Sequence, residues 1–239
     1  MSADLSVTDL TVHYGTATAV EKASFTAPAG RITAIVGPNG AGKSSLALGV
    51  YGAVAASGSI QLGGTDLSSM TSIERARAGL AIVPQGRQLF PKLTVRDNLQ
   101  VMAELLKLKR TAVEEALDRF PVLREREGRL AGVLSGGEQQ MLVVSRALMG
   151  DPHCLVLDEM MTGLAPKIVS GLADAIREIA DRGASVLIVD PAIGPLGRVI
   201  DRGHVLLRAQ LSEAHDDVDA LDDGYQRVMG IIQHEMGAE

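Results

Sequence analysis

Residues 35–45 read IVGPNGAGKSS, and their spacing matches G-x-x-x-x-G-K-[ST] at Gly37, Gly42, Lys43 and Ser44. The preceding run, RITAIV (31–36), is strand-like and the residues that follow are compatible with a helix, which is the context the motif requires. Glycines let the backbone turn so that successive N–H groups converge on one anion. The helix N-terminus adds the positive end of its dipole. We therefore read Gly37, Pro38, Asn39, Gly40, Ala41, Gly42, Lys43, Ser44 and Ser45 as a phosphate-binding loop, with Lys43 reaching the β- and γ-phosphates of a nucleotide and Ser44 offering its hydroxyl to Mg²⁺.

Further along, LVLDEMM (155–161) is a short apolar run that ends on two adjacent acids. Alone, it is an ordinary strand ending in a polar turn. Beside a nucleotide loop its meaning changes, because an acid at the end of a neighbouring parallel strand can hold the metal through water. Asp158 is placed for that role, and Glu159, the next carboxylate, for polarising an attacking water. Between the two segments lies LSGGEQQ (134–140), where Ser135 and Glu138 form a capping-box pattern and two glycines leave a helix N-terminus open to a phosphate.

The rest of the chain supplies the frame. Residues 1–35 alternate β-rich runs with turns at Gly15 and at Pro28-Ala29-Gly30, the pattern of an antiparallel or mixed sheet edge. The uncharged stretch 44–65 is broken by five glycines and several serines, so it predicts a helix followed by turns, not a membrane span. From 71 to 150 the apolar period is mostly helical: Ile73, Leu80, Val95, Leu99, Met102 and Leu106, then Val113, Ala116, Leu117 and Phe120. Thr94 followed by Asp97 marks a helix start. Beyond 155, strand–helix–strand alternation argues for parallel strands with crossover helices. The expected organisation is a single α/β domain over 1–239, interrupted by a helical subdomain at 71–150. A C-terminal acidic and helical tail at 210–239 follows, with Leu221, Tyr225, Val228 and Ile232 on a helix packed against the body.

At 239 residues, with 46% hydrophobic residues and a net charge of -6, the chain reads as globular and offers no basic stripe for a nucleic acid. Its single cysteine, Cys154, permits no internal disulfide and fits a reducing setting. The N-terminal residues show no secretory pattern.

The phosphate loop, LSGGE and LVLDE, in this order and spacing, resemble the ATP-binding subunits of ABC transporters over nearly the whole chain. That resemblance implies a P-loop NTPase fold of ABC type, with a mixed-sheet core, an antiparallel β edge and a helical insert. It implies ATP and Mg²⁺ in the site, with Ser44, Gln85 and Asp158 near the metal and Glu159 and Gln85 at the water. Tyr14 becomes the aromatic that stacks on adenine. Leu134, Ser135, Gly136, Gly137 and Glu138 serve the ATP of an opposite subunit, so the chain is expected to pair head-to-tail with a second ABC ATPase, identical or different. Integral membrane permease subunits are the implied partners, and the implied place is cytoplasmic, peripheral on the inner face of the cell membrane. PQGRQLFPKLTVRDNL (84–99) and GLAP (163–166), with Ala165 where most such ATPases show aspartate, are similar to the ATPases of branched-chain amino acid importers and their urea and short-amide relatives.

Three positions depart from that pattern. The family places a histidine or glutamine after the strand that follows the acids, and here SVLIV (185–189) leads into Asp190 and Pro191. Pro191 has no donor, Asp190 would repel a phosphate, and none of the five histidines fills the position. Loss of such a donor can cost roughly 10² to 10³ in rate, which opens an alternative reading: a hydrolysis-poor partner subunit paired with a competent sister. Met160 and Met161 replace a proline and a small hydroxyl residue, and a methionine pair at a strand end is more often core filler.

Overall fold

The computed structural model describes residues 3–86, 88–161 and 163–230, so Ile232, His234 and the last part of the tail lie outside the described residues. Strands β1 (Leu5–Tyr14), β2 (Ala17–Ala27), β4 (Ala56–Leu62) and β5 (Thr65–Asp66) form an antiparallel sheet in the order β2-β1-β4-β5. Strands β3 (Ile32–Val36), β6 (Leu80–Val83), β7 (Cys154–Asp158), β8 (Ser185–Asp190), β9 (Arg202–Leu207) and β10 (Gln210–Leu211) form a second sheet in the order β10-β9-β3-β8-β7-β6. All its pairs are parallel except β9 with β10. Every residue of β3 and β7 is buried, as expected of parallel strands covered on both faces.

Eight α-helices accompany the sheets among the described residues: α1 (Lys43–Tyr51), α2 (Ser72–Arg77), α3 (Val95–Leu106), α4 (Ala112–Arg119), α5 (Pro121–Glu125), α6 (Gly136–Ala147), α7 (Pro166–Asp181) and α8 (Val218–Val228). One core joins the parallel sheet to α7 and α6 through Leu155, Leu157, Leu172, Ile176 and Val144. A second, on the opposite face, joins it to α1 and the antiparallel sheet through Ile35, Leu46, Leu10 and Val12. A third, with Leu99, Leu117, Leu123 and Leu142, lies among α3–α6 and the segments that join and follow them. Half-buried Leu89, Phe120 and Met141 pack against both the first core and the third.

Two local readings need correction. Residues after α1 do not stay in turns: Ala56–Leu62 is β4, paired with β1, because Ile60 and Leu62 alternate inward at period two despite their glycine and serine neighbours. Leu80 does not continue a helix either. Leu80–Val83 is β6, paired parallel with β7, and helices with their own core begin only at Val95. A four-residue apolar run fits both periods, and pairing with β7 decides it. By contrast Thr94 and Asp97 form the predicted capping box at α3, and α8 packs onto β9 with Leu221 fully buried. Among the described residues no helix is long and apolar enough to cross a membrane.

Candidate nucleotide-binding site

Because β3, β7 and β8 run parallel, their C-terminal ends open on one edge of the sheet, where such folds receive ligands. The loop from Gly37 to Gly42 joins β3 to α1 at that edge. Gly42 caps α1 with φ 109°, and a Cβ there would stand 2.0 Å from the carbonyl oxygen of Ala19 on β2. At Gly37 a Cβ would stand 2.1 Å from the carbonyl oxygen of Leu206 on β9. The loop is thus pinned on both sides by neighbouring strands, and glycine is required at each contact. Lys43 is only 4% exposed. Its Nζ donates to the carbonyls of Gly37 (2.9 Å) and Pro38 (3.1 Å) and lies 3.8 Å from the Glu159 carboxylate. Burial lowers its pKa, while Glu159, Asp190 and Asp158 act to raise it.

Asp158, the last residue of β7, is 2% exposed and accepts a hydrogen bond from the Ser44 hydroxyl at 3.0 Å. Burial pushes its pKa up and the repulsion of Glu159 adds to this, against the Ser44 bond and the charge of Lys43. Glu159 follows with φ 45°, a left-handed conformation that costs a non-glycine residue on the order of 1–3 kcal/mol. Its N–H bonds the Val189 carbonyl at 3.0 Å, and its carboxylate accepts from the Gln85 amide at 2.5 Å. Gln85 sits two residues beyond β6, so three adjacent strands meet at one carboxylate. The Ser44 hydroxyl, the Asp158 carboxylate and the Gln85 amide form a hard-oxygen donor set, and they fit an Mg²⁺ completed by waters and substrate phosphates.

Tyr14 ends β1, 49% exposed, on the hairpin whose second strand carries Ala19 against Gly42. Leu134 is buried and precedes α6, whose N-terminus is closed by the predicted capping box: Ser135 N–H to the Glu138 carboxylate (2.8 Å) and Glu138 N–H to the Ser135 hydroxyl (3.3 Å). Gly136 and Gly137 open that helix, with Gly137 facing Ile168 of α7. Among the described residues, bonds and ion pairs link Lys43 to Glu159, Ser44 to Asp158 and Gln85 to Glu159. Tyr14 and Leu134–Glu138 stand outside that network.

One residue that sequence reasoning set aside belongs to this neighbourhood. Asp190 ends β8 and pairs in register with Val36, the residue before the loop begins. Burial, with repulsion from Glu159 and Asp158, pushes its carboxyl up to about 6, against the Ala192 N–H and the charge of Lys43. The available signal was an acid closing an otherwise apolar strand beside the phosphate loop. Met160 and Met161 are buried in the sheet–helix core, which fits the packing reading. The described histidines are packing or surface residues: His204 is buried against Phe25 and bonded to the Ser212 carbonyl, His13 bonds Thr18, and His153 and His215 fill space beside Gly79 and Gly224.

Fold and site together define a P-loop nucleotide-binding domain. The ABC transporter family profile matches residues 20–162, and the chain belongs to that family, whose ATP-binding domains hydrolyse ATP. It is 38% identical to the high-affinity branched-chain amino acid transport ATP-binding protein BraG of Pseudomonas aeruginosa over 206 residues, 84% of this chain and 88% of the relative. It is 35% identical to the probable branched-chain amino acid transport ATP-binding protein LivF of Archaeoglobus fulgidus, over 76% of this chain and 78% of the relative. A solved ATP-binding cassette of an ABC transporter in its ADP conformation superposes with a TM-score of 0.81 at 25% identity, covering 97% of this chain and 98% of that one. A nucleotide-free cassette, at 23% identity, shares the fold with a TM-score of 0.83. The resemblance read from the sequence is borne out.

Proposed function

We propose that this chain is the ATP-binding subunit of an importer for branched-chain amino acids or similar small solutes, and that it binds and hydrolyses Mg-ATP at a head-to-tail dimer interface to drive a partner permease. The observation that carries the proposal is the meeting of Lys43, Ser44, Gln85, Asp158 and Glu159 at one sheet edge. The identity to two branched-chain amino acid transport ATP-binding proteins supports the solute class.

In this reading the loop N–H groups and Lys43 hold the phosphates, and Tyr14 stacks on the adenine. Ser44, Asp158 and Gln85 are the residues that would hold Mg²⁺, which when bound supplies charge neutralisation to the phosphates and fixes their orientation. Glu159, held by Gln85 and Lys43, orients and polarises the attacking water. Leu134–Glu138, at the N-terminus of α6, serves the nucleotide of the opposite subunit, where the helix dipole favours anions. The whole chain acts as one ATPase unit with residues 71–150 as its helical subdomain, stationed peripherally on the inner face of the cell membrane. A second reading rests on Pro191, which has no donor to offer a phosphate: the chain is then a hydrolysis-poor half beside a competent sister.

Steady-state Mg-ATP turnover of wild type and Glu159→Gln, with nucleotide binding measured on both, tests the proposal. The expected result is binding in both proteins and turnover reduced at least about 10²-fold in the variant. Equal turnover would remove Glu159 from its role, and binding without turnover in either protein would select the second reading.

A further inference from the structure

Three carboxylates, Asp158, Glu159 and Asp190, bear electrostatically on Lys43. Their partners differ. Asp158 has the Ser44 hydroxyl at 3.0 Å, and Glu159 has Gln85 at 2.5 Å and Lys43 at 3.8 Å. Asp190 has a long bond of 3.4 Å from the Ala192 N–H. Among the described residues it bonds none of Ser44, Gln85 or Asp158. Asp190 lines a cavity of about 450 Å³ with Met161, Gly163, Leu164 and Arg198, but the Arg198 guanidinium is committed to Asp174 at 2.8 Å and to Ser170. The charged groups that bear on Asp190 are therefore Glu159 and Asp158 from the β7 end and Lys43 from α1. Of the three acids it is the one least supported as an anion.

A nucleotide triphosphate brings further negative charge to Lys43. Like charge beside a half-buried acid favours its neutral form, and with Mg²⁺ offsetting charge at Ser44, Asp158 and Gln85 the least supported acid, Asp190, takes the proton. A neutral carboxyl then carries an O–H donor. Its position suits that use, since Asp190 pairs with Val36 and the loop begins at the next residue, Gly37.

Building on the nucleotide reading above, we propose that Asp190 reads the terminal phosphate of ATP as a neutral carboxylic acid, donating its O–H to a phosphate oxygen, so that ATP binding takes up one proton from solvent. When the terminal phosphate leaves, the proton returns to solvent. No covalent bond to Asp190 forms or breaks. ADP, which lacks that phosphate, binds without this uptake, so the preference for ATP over ADP grows as pH falls.

Calorimetric titration of the full chain with Mg-ATP and with Mg-ADP tests this, in buffers of different ionisation enthalpy from about pH 5 to about pH 8, on wild type, Asp190→Asn and Asp190→Ala. In wild type above pH 6, ATP is expected to carry about one more proton than ADP, and its affinity relative to ADP to fall by up to about tenfold per pH unit. Asp190→Asn keeps a donor at every pH, so it abolishes the uptake and retains the acid-pH affinity at pH 8. Asp190→Ala abolishes the uptake and loses the acid-pH gain. Equal uptake for ATP and ADP in wild type, or unchanged uptake in Asp190→Asn, overturns the inference. Absence of binding in all three proteins at every pH overturns the nucleotide reading instead, and this inference falls with it.

Discussion

Lys43 and the acids facing it show how residue identity and position divide the work. The spacing of Gly37, Gly42, Lys43 and Ser44 was legible because the motif specifies a backbone shape, and Asp158 and Glu159 followed because a strand end carries them to the same edge. The ionisation of Asp190 was not legible, since it depends on burial and on neighbours brought by the register of β8 with β3. That ionisation has a consequence for stability without nucleotide. The folded chain holds the Asp190 proton more tightly than an unfolded aspartate with its ordinary value of 3.8, so the contribution of Asp190 to stability declines as pH rises from 3.8 through about 6. Asp190→Asn is expected to raise the melting temperature relative to wild type at pH 7.5, with the gap closing toward pH 4. A pH series of thermal melts checks this, and a gap that stays constant would contradict the assigned shift.

Helix starts were the most readable elements, because a cap is a local bond between residues three apart. Thr94 and Asp97 satisfy each other's backbone N–H groups at α3, with Asp97 N–H to the Thr94 hydroxyl at 3.0 Å. Thr94→Ala is expected to cost about 1 kcal/mol, read as a lower denaturant midpoint with an unchanged slope. Short strands were the least readable. β4 and β6 are each fixed by a partner distant in sequence, β1 for one and β7 for the other, and their own residues carry weak or ambiguous periods. Non-local pairing of this kind leaves little trace in a local window.

Across the whole molecule, the change of apolar period marked the helix-rich stretch, within which Leu80–Val83 is a strand and α3 begins at Val95. The described part of the tail packs on the body: Leu221 on α8 is fully buried in the sheet–helix core beside β9. Leu221→Ala is expected to destabilise the chain by about 2–5 kcal/mol through the lost burial and the cavity left behind. Equilibrium unfolding measures it, and a loss under about 0.5 kcal/mol, the range of surface substitutions, would show that the tail is energetically separate. Leu89, Phe120 and Met141 lie where the body and the helical layer touch. Contacts made by half-buried apolar side chains have no fixed direction, so sliding one face over the other exchanges one greasy neighbour for another and breaks no backbone ladder. In mechanical terms these three side chains are a greased seam, held by packed carbon whose contacts have no fixed direction.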